Sequence, residues 1–376
     1  MNIGVIGAGT MGIGIAQVAA TNGCKVWVYD ANAKQVETAT VGLEKTLTRL
    51  VDKQKISAEK MTEILTNISI ATELKDFKDC ELIIEAIIEN KEIKTKVFTE
   101  LEKHVSESCV IASNTSSISI TSLGAELQKP ERFIGIHFFN PAPLMPLVEI
   151  IPSLLTEKSL AKKMYTLMKD WGKTPVIAKD IPGFIVNRIA RPYYGEGLRI
   201  VEENIATVEQ VDEAMKTIGN FKMGPFELMD LIGVDVNFSV TKTVYNEYFY
   251  DPKYKPSLLQ QRMSEAKFHG RKTGKGFYDY AEDALKTEPV KDDALYQQIF
   301  LRIISMLINE AVEAKRLGIA SDEDLELAMQ KGVNYPKGLL AWGKEIGFSK
   351  ISETLQDLNE EYQEERYRQS PLLRKM

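Results

Sequence analysis

Near its start the chain reads Asn2-Ile-Gly-Val-Ile6, passes at once into Gly7-Ala-Gly9-Thr10-Met11-Gly12, and continues as an apolar-periodic segment that Gly23 ends. No other stretch restricts the fold as much. Gly7 permits a tight turn, Gly9 lets the backbone approach a pyrophosphate, and Gly12 lets helix and strand pack closely, while the free N–H groups and dipole of the helix start attract an anion. Three glycines at this spacing are weak evidence alone. Here the next apolar strand, Lys25–Tyr29, ends in Asp30, eighteen residues past Gly12. A carboxylate at that place can accept both ribose hydroxyls of an adenosine and repels a 2′-phosphate, so the expected cofactor is NAD rather than NADP.

Beyond Asp30 the pattern alternates. Helical periodicity over Ala33–Val51 and Ala58–Leu65 precedes a strand at Ile68–Ile70. The apolar run Leu82-Ile-Ile84 leads into Glu85-Ala-Ile-Ile-Glu89, a charged helix covers Lys91–His104, and Cys109–Ala112 is a buried strand ending in Ser113-Asn-Thr-Ser-Ser117. Strands alternating with helices predict a doubly wound parallel sheet, an α/β Rossmann-type domain. Ser116 then stands at a strand's carboxyl end, where it either hydrogen-bonds a substrate oxygen or caps the following helix; chemistry alone favours capping.

His137 is one of three histidines in 376 residues. It sits in Ile136–Glu149, IHFFNPAPLMPLVE, near the end of an apolar run, Phe133–Phe139, that Asn140-Pro141 breaks. An unperturbed imidazole titrates at about 6.5 and can take and return a proton near neutrality. Glu149, in the β-like run Leu147–Ile151, can return to the same edge and orient the ring. From residue type alone, a core histidine that is merely satisfied is the commoner case. His104 is expected to be solvated and His269 exposed.

The bulk composition excludes other classes. A chain 44% hydrophobic and 27% charged buries a real core in two or three domains. A net charge of −6 favours neither nucleic acid nor an anionic membrane surface. Cys24, Cys80 and Cys109 are an odd count without CxxC spacing, which argues for a reducing compartment and against a disulfide framework or a zinc site. With its first strand opening at Ile3 and no apolar run near twenty residues, the protein is expected to lack a targeting segment and to be cytoplasmic.

Asp180-Ile-Pro-Gly183 interrupts the alternation, Phe184–Glu203 follows as a long helix, and the rest reads as helical. Ile185–Gly233 laid on Ile299–Gly347 at a constant offset of 114 residues makes Arg188, Glu196, Gly224 and Gly233, among others, coincide with identical residues. These are two copies of one helical unit. Asn187 faces Leu301 and Pro225 faces Leu339, so only the first copy is expected to meet substrate, with the second a packing or assembly module. Gly270-Arg-Lys-Thr-Gly-Lys-Gly276 is not a phosphate loop, since its spacing is wrong and no strand precedes it. Ala281–Asp293 reads as a linker, and the charged Asp357–Arg368 as a solvated helix face.

GAGTMG at Gly7–Gly12, SNTSS at Ser113–Ser117, HFFNPAPLMPLVEI at His137–Ile150, PGFIVNR at Pro182–Arg188, MGPFELMD at Met223–Asp230 and GRKTGKGFYDY at Gly270–Tyr280 together resemble the 3-hydroxyacyl-CoA dehydrogenase family, in order, over the first 280 residues. The second copy resembles that of longer members, and GVNYPKGLLAWG at Gly332–Gly343 leans towards bacterial enzymes acting on 3-hydroxyadipyl-CoA. The resemblance implies a Rossmann-type domain at residues 1–181 and two all-α domains of the 6-phosphogluconate dehydrogenase C-terminal-like type, at 182–281 and 294–376. It implies NAD at Gly7, Gly9, Thr10, Met11, Gly12, Asp30 and Glu89. His137 becomes the base that takes the proton of the 3-hydroxyl, Glu149 its orienting carboxylate, and Ser116 and Asn187 partners of substrate oxygens, with Asn140 supporting the site. The implied activity is reversible oxidation of L-3-hydroxyacyl-CoA in fatty-acid or related acyl-CoA degradation, by a homodimer or by a monomer whose second helical domain replaces the dimer partner. The rival readings are a β-hydroxyacid or sugar-acid dehydrogenase on a similar scaffold and a non-catalytic NAD-binding protein.

Overall fold

The computed structural model describes residues 1–285 and 288–376, so Lys286 and Thr287 of the expected linker lie outside the described residues. The chain forms two compact units, Met1–Phe184 and Ile185–Met376. The first holds an eight-stranded sheet in the order β3-β2-β1-β4-β5-β6-β7-β8. Its strands are β1 (Asn2–Ile6), β2 (Lys25–Tyr29), β3 (Ile68–Ile70), β4 (Leu82–Glu85), β5 (Val110–Ser113), β6 (Phe133–Phe138), β7 (Leu147–Pro152) and β8 (Thr174–Ile177). The helices of this unit are α1 (Thr10–Thr21), α2 (Ala33–Asp52), α3 (Ala58–Thr66), α4 (Lys91–Leu101), α5 (Ile120–Gly124) and α6 (Lys158–Asp170).

The strand order reverses between β1 and β4, the crevice where such sheets meet dinucleotides. Alternate residues divide the sheet between two faces. Ile3, Val5, Val26, Val28, Leu82 and Ile84 pack with Ile15 and Ala19 of α1. On the other face Phe133 meets Phe98 of α4 edge to face, with ring centroids 5.0 Å apart. The sheet departs from an all-parallel pattern at one place that bears on the chemistry. β7 runs antiparallel to β6, placing Glu149 directly opposite His137.

The second unit is helical among the described residues. Its first copy runs α7 (Val186–Ile189), α8 (Arg191–Glu202), α9 (Val208–Thr217), α10 (Pro225–Ile232), α11 (Val234–Glu247) and α12 (Leu258–Glu265). The second runs α13 (Asp293–Arg316), α14 (Asp322–Gly332), α15 (Leu339–Ile346) and α16 (Phe348–Tyr362). The single long helix expected over Phe184–Glu203 is broken. Pro192 stands in the first turn of α8, where its missing N–H is harmless, and it could not have continued a helix from α7.

The copies share devices as well as helices. Asp212 accepts the N–H groups of Phe226 and Glu227 at the start of α10, both at 2.9 Å, and at the matching place Glu326 accepts those of Leu340 and Ala341 at 2.7 and 3.1 Å. Gly224 and Gly338 leave room for those carboxylates: a Cβ would lie 2.3 Å from Asp212 and 2.0 Å from Glu326. Burial pushes the Asp212 carboxyl up to about 7.

α13 packs on α8, α9, α15 and α16, and the two copies exchange charges. Arg302 of the second reaches Glu196 of the first, at 3.0 Å, and Arg188 of the first approaches Glu310 of the second, at 3.6 Å. Each contact mirrors the other through the 114-residue offset, the reciprocity of a two-fold interface carried within one chain. The C-terminal stretch therefore corrects its reading as a solvated face. Arg366 and Tyr367 are buried there, Arg366 Nη1 lying 3.2 Å from Glu196 and the Tyr367 hydroxyl donating to it at 3.1 Å.

The glycine-rich segment after His269 is structural. Phe277 and Tyr278 donate their backbone N–H groups, and Tyr280 its hydroxyl, to buried Asp230 at 2.9 to 3.0 Å. The second copy has exposed Lys344 at that position and no such segment. Asp230→Ala strands these donors and is expected to cost about 3 kcal/mol, whereas Lys344→Ala changes stability by less than about 0.5 kcal/mol. Urea denaturation monitored by circular dichroism checks both; equal midpoints for the two variants would contradict the assignment.

Candidate active site

At the carboxyl end of β1 the chain turns through Gly7, at φ 105°, where a Cβ would lie 2.6 Å from the Ala86 carbonyl oxygen. Gly9 begins α1 without a side-chain cap, and beyond its chain neighbours no atom of the described residues stands within 4 Å of where its Cβ would be. Thr10 and Met11 form the first turn, and Gly12 packs so closely beneath the loop that a Cβ would lie 1.8 Å from the Gly7 carbonyl oxygen. Asp30, just past β2, accepts the Ala8 N–H at 2.8 Å and the Asn32 N–H at 2.9 Å, which fixes its carboxylate beside the turn. An uncapped twelve-residue helix with open space over its first residue, and a fixed carboxylate at the end of the next strand, suit a pyrophosphate and an adenosine ribose.

Beyond β4, Glu89 ties down the polar loop after β5. It accepts the Thr115 hydroxyl at 2.6 Å, the Ser116 N–H at 3.0 Å and the Ser117 hydroxyl at 2.8 Å. Burial opposes its charge, yet Lys94 and these donors hold its pKa below the usual carboxylate range. Lys94 lies 3.3 Å from Glu89 and 2.5 Å from Glu85, whose carboxylate also accepts the Ser113 hydroxyl at 2.7 Å. Half-buried Ser116 does not cap the next helix. Ser119 does so, accepting the Ser122 N–H at 3.1 Å.

The whole of β6 is buried, so His137 needs a polar partner inside the protein. Glu149, with no exposed surface, supplies it: its Oε2 is 2.7 Å from His137 Nδ1. The rings of Phe139 and Phe184 flank the imidazole at 4.6 and 5.9 Å. Asn114 accepts the Phe138 N–H at 2.8 Å and so ties the end of β6 to the Ser113–Ser117 loop. The turn beyond begins with exposed Asn140, joined to Pro141 by a cis peptide bond. Lys173 holds that turn from behind, donating to the carbonyls of Ala142 at 2.5 Å and Met145 at 2.9 Å, and burial lowers its pKa to about 8.

Asn187 belongs to the second unit, on α7, where Val186, Arg188 and Ile189 are buried and Asn187 alone is half-buried. The other histidines stay outside. His104 is half-buried 3.0 Å from Glu100, and His269, expected to be exposed, is half-buried with its ring on the Ser264 carbonyl at 3.1 Å. The sequence alone does not single out Asn114, Lys94 or Lys173. Asn114 stands within SNTSS among four hydroxyl residues, whereas the two lysines look like ordinary surface charge until the fold buries them.

A doubly wound domain with a bare glycine turn and a fixed carboxylate at the end of the next strand, followed by helices, defines a class: NAD-dependent oxidoreductases of two-part architecture. Comparison with known proteins agrees. Residues 2–181 match the model of the 3-hydroxyacyl-CoA dehydrogenase NAD binding domain, and residues 183–280 and 299–376 that of the C-terminal domain. The chain belongs to the 3-hydroxyacyl-CoA dehydrogenase family. It is 35% identical to a 3-hydroxyadipyl-CoA dehydrogenase of Escherichia coli K12, over 99% of this chain and 96% of the relative. A 3-hydroxybutyryl-CoA dehydrogenase of Bradyrhizobium diazoefficiens is 42% identical over 74% of this chain and 94% of its own length. The crystal structure of a 3-hydroxybutyryl-CoA dehydrogenase from Escherichia coli K12 superposes with a TM-score of 0.94 at 34% identity, covering 100% of this chain and 98% of that one. Among the described residues no cluster of His, Cys, Asp and Glu could hold a metal, and no helix is long and apolar enough to cross a membrane.

The glycines separate binding from folding. Gly12→Ala drives a Cβ into backbone and is expected to lower the melting temperature and abolish NADH binding together. Gly9→Ala meets no protein atom, so it should melt like the parent while losing NADH affinity by about tenfold or more. Fluorescence titration with NADH alongside thermal melting decides; undiminished affinity in Gly9→Ala would remove the pyrophosphate from this turn.

Proposed function

We propose that the protein catalyses the reversible NAD⁺-dependent oxidation of an L-3-hydroxyacyl-CoA to the 3-oxoacyl-CoA, with His137 as general base. The observation that carries this reading is the buried His137–Glu149 contact at a strand's carboxyl end, in the unit that bears the glycine turn. A secondary alcohol does not release hydride from carbon while its O–H bond is intact. His137 takes the hydroxyl proton, the C–O bond becomes C=O, and the hydride leaves C3. NAD⁺ held at the glycine turn would supply the hydride acceptor, and the proton on the imidazole passes to solvent.

Glu149 engages Nδ1, which leaves Nε2 to face the alcohol. The carboxylate fixes the tautomer, orients the ring and offsets the charge of the imidazolium that forms. Ser116 and Asn187 donate hydrogen bonds to the substrate's oxygens, Asn140 supports the strand end, and Asp30 accepts the adenosine ribose hydroxyls. Glu89 sits on the cofactor side and holds the Ser116 loop in place. The substrate is an acyl thioester of CoA. One full-length relative is named for 3-hydroxyadipyl-CoA, whereas a shorter relative and a full-length solved structure are named for 3-hydroxybutyryl-CoA, and rates on 3-oxoacyl-CoAs of increasing length with one dicarboxylic member identify the acyl group.

His137→Gln is expected to bind NADH as the parent does while its kcat for acetoacetyl-CoA, followed at 340 nm, falls by about 10²- to 10⁴-fold. Near-parental turnover would remove His137 from the chemistry. A free 3-hydroxy acid with NAD⁺, the substrate class of the rival enzyme reading, is expected to give no measurable rate.

The two helical copies pair reciprocally within one chain, as the subunits of a symmetric dimer do, so the protein is expected to be a monomer. Light scattering of the purified chain reads this directly; a dimer built on the first helical copies would contradict it.

A further inference from the structure

The helix that carries Asn187 cannot stand by itself. α7 is four residues long and no side chain caps it, whereas an isolated helix needs roughly three to four turns to persist in water. What holds it comes from several directions. Arg191 donates to the Asn187 carbonyl at 2.8 Å and to the Thr241 hydroxyl at 3.0 Å. Arg188 donates through Nε to the Tyr254 hydroxyl at 3.0 Å, and that hydroxyl donates to Glu310 at 2.7 Å. Lys253 completes the group, its ammonium 2.8 Å from Glu310. Glu310 is 1% exposed and Arg188 3%. Burial alone would raise the carboxyl's pKa; Lys253 and Arg188 overcome it and hold the group below the usual range.

Glu310 lies in α13, in the second copy, and the duplication supplies its own control. Glu196 occupies the matching place in the first copy and binds Arg302 at 3.0 Å, with the Tyr367 hydroxyl at 3.1 Å. Chemistry and burial are closely matched in the two clusters. The difference lies one residue away: Arg188 follows Asn187, whereas Arg302 follows Leu301.

We infer that Glu310, contributed by the second helical copy, is a positioning residue for Asn187: through Tyr254 and Arg188 it fixes the short helix from which Asn187 meets the substrate. This rests on the role proposed for Asn187. The second copy is then part of the working site and not only a packing partner, while the mirror cluster around Glu196 contributes stability alone.

The test uses the full chain and compares Glu310→Gln with Glu196→Gln, and Tyr254→Phe with Tyr367→Phe, in kcat and KM for acetoacetyl-CoA, KM for NADH and melting temperature. Glu310→Gln strands two buried cations, so Tyr254→Phe, which removes the bridging hydroxyl and leaves every charge in place, carries the test if that variant does not fold. Expected is a fall in kcat of about ten- to a hundredfold for the Glu310 and Tyr254 variants with KM for NADH unchanged, since small misplacements cost this much. The mirror variants should melt lower by a similar amount and keep kcat within about twofold of the parent. Glu310→Gln or Tyr254→Phe added to Asn187→Ala should lower kcat no further. Equal kcat losses in both clusters, or losses that add to that of Asn187→Ala, would overturn the inference and leave Glu310 a structural residue. Parental turnover in Asn187→Ala would instead overturn the role of Asn187, whereas a damaged Asn187→Ala beside silent Glu310 and Tyr254 variants overturns the positioning alone.

Discussion

Glu149 has no exposed surface and His137 only 6%, and each gives the other a polar partner inside the protein. Their 2.7 Å contact requires β7 to run antiparallel to β6 in the one register that sets residue 149 against residue 137. A slip by one residue would turn every side chain of β7 to the other face and take Glu149 away from the His137 ring. The contact therefore fixes the register on which the proposed chemistry depends. It also accounts for the departure of the sheet from an all-parallel pattern: a strand returning antiparallel through the short turn 139–146 brings its residues opposite β6 without a crossover helix. Asn114 and Lys173 secure the strand end and the turn that make this geometry possible.

The second unit obeys the same constraint on a larger scale. Arg188, Glu196, Arg302 and Glu310 are all buried, and each finds its opposite in the other copy, about a hundred residues away in sequence. Where the copies must only fold, they agree: a carboxylate caps the start of α10 and of α15, and a glycine makes room for it. Where they differ, one member has contacts, or a proposed use, that the other lacks. Asp230 organises the segment 270–280, and its counterpart Lys344 is exposed; Asn187 has Leu301 opposite it.

Legibility in the sequence tracks the distance over which each feature acts. The glycine turn, Asp30 and the strand–helix alternation are local, and they identify the first unit and its cofactor. The repeat is visible because identical residues recur at one offset. His137 and Glu149 stand out because twelve residues separate them and two apolar runs frame them. Features decided by partners far along the chain are hidden. Arg366 and Tyr367 sit in a charged stretch that reads as solvated, yet their partner Glu196 lies 170 and 171 positions earlier. Lys94 lies on a helix full of charges, and nothing nearby marks it as the one facing Glu85. The break before α8 has a local signal in Pro192, which the apolar periodicity on either side obscures.

The exchanged ion pairs are poor instruments for raw stability, since apolar side chains of similar volume often serve as well or better in a buried interface. Their strength lies in discrimination. Two helices packed through apolar side chains alone could shift by one turn, about 5.4 Å, and recover most of their contact. The same shift would pull Arg302 from Glu196 and Arg188 from Glu310 together. Because the pairs are reciprocal, no single displacement relieves one without breaking the other. Both pairs hold the second copy to one position on the first, and only the Glu310 pair bears directly on α7. For a residue such as Asn187, whose proposed use depends on standing within hydrogen-bond reach of a substrate oxygen, a fixed position counts for more than added stability.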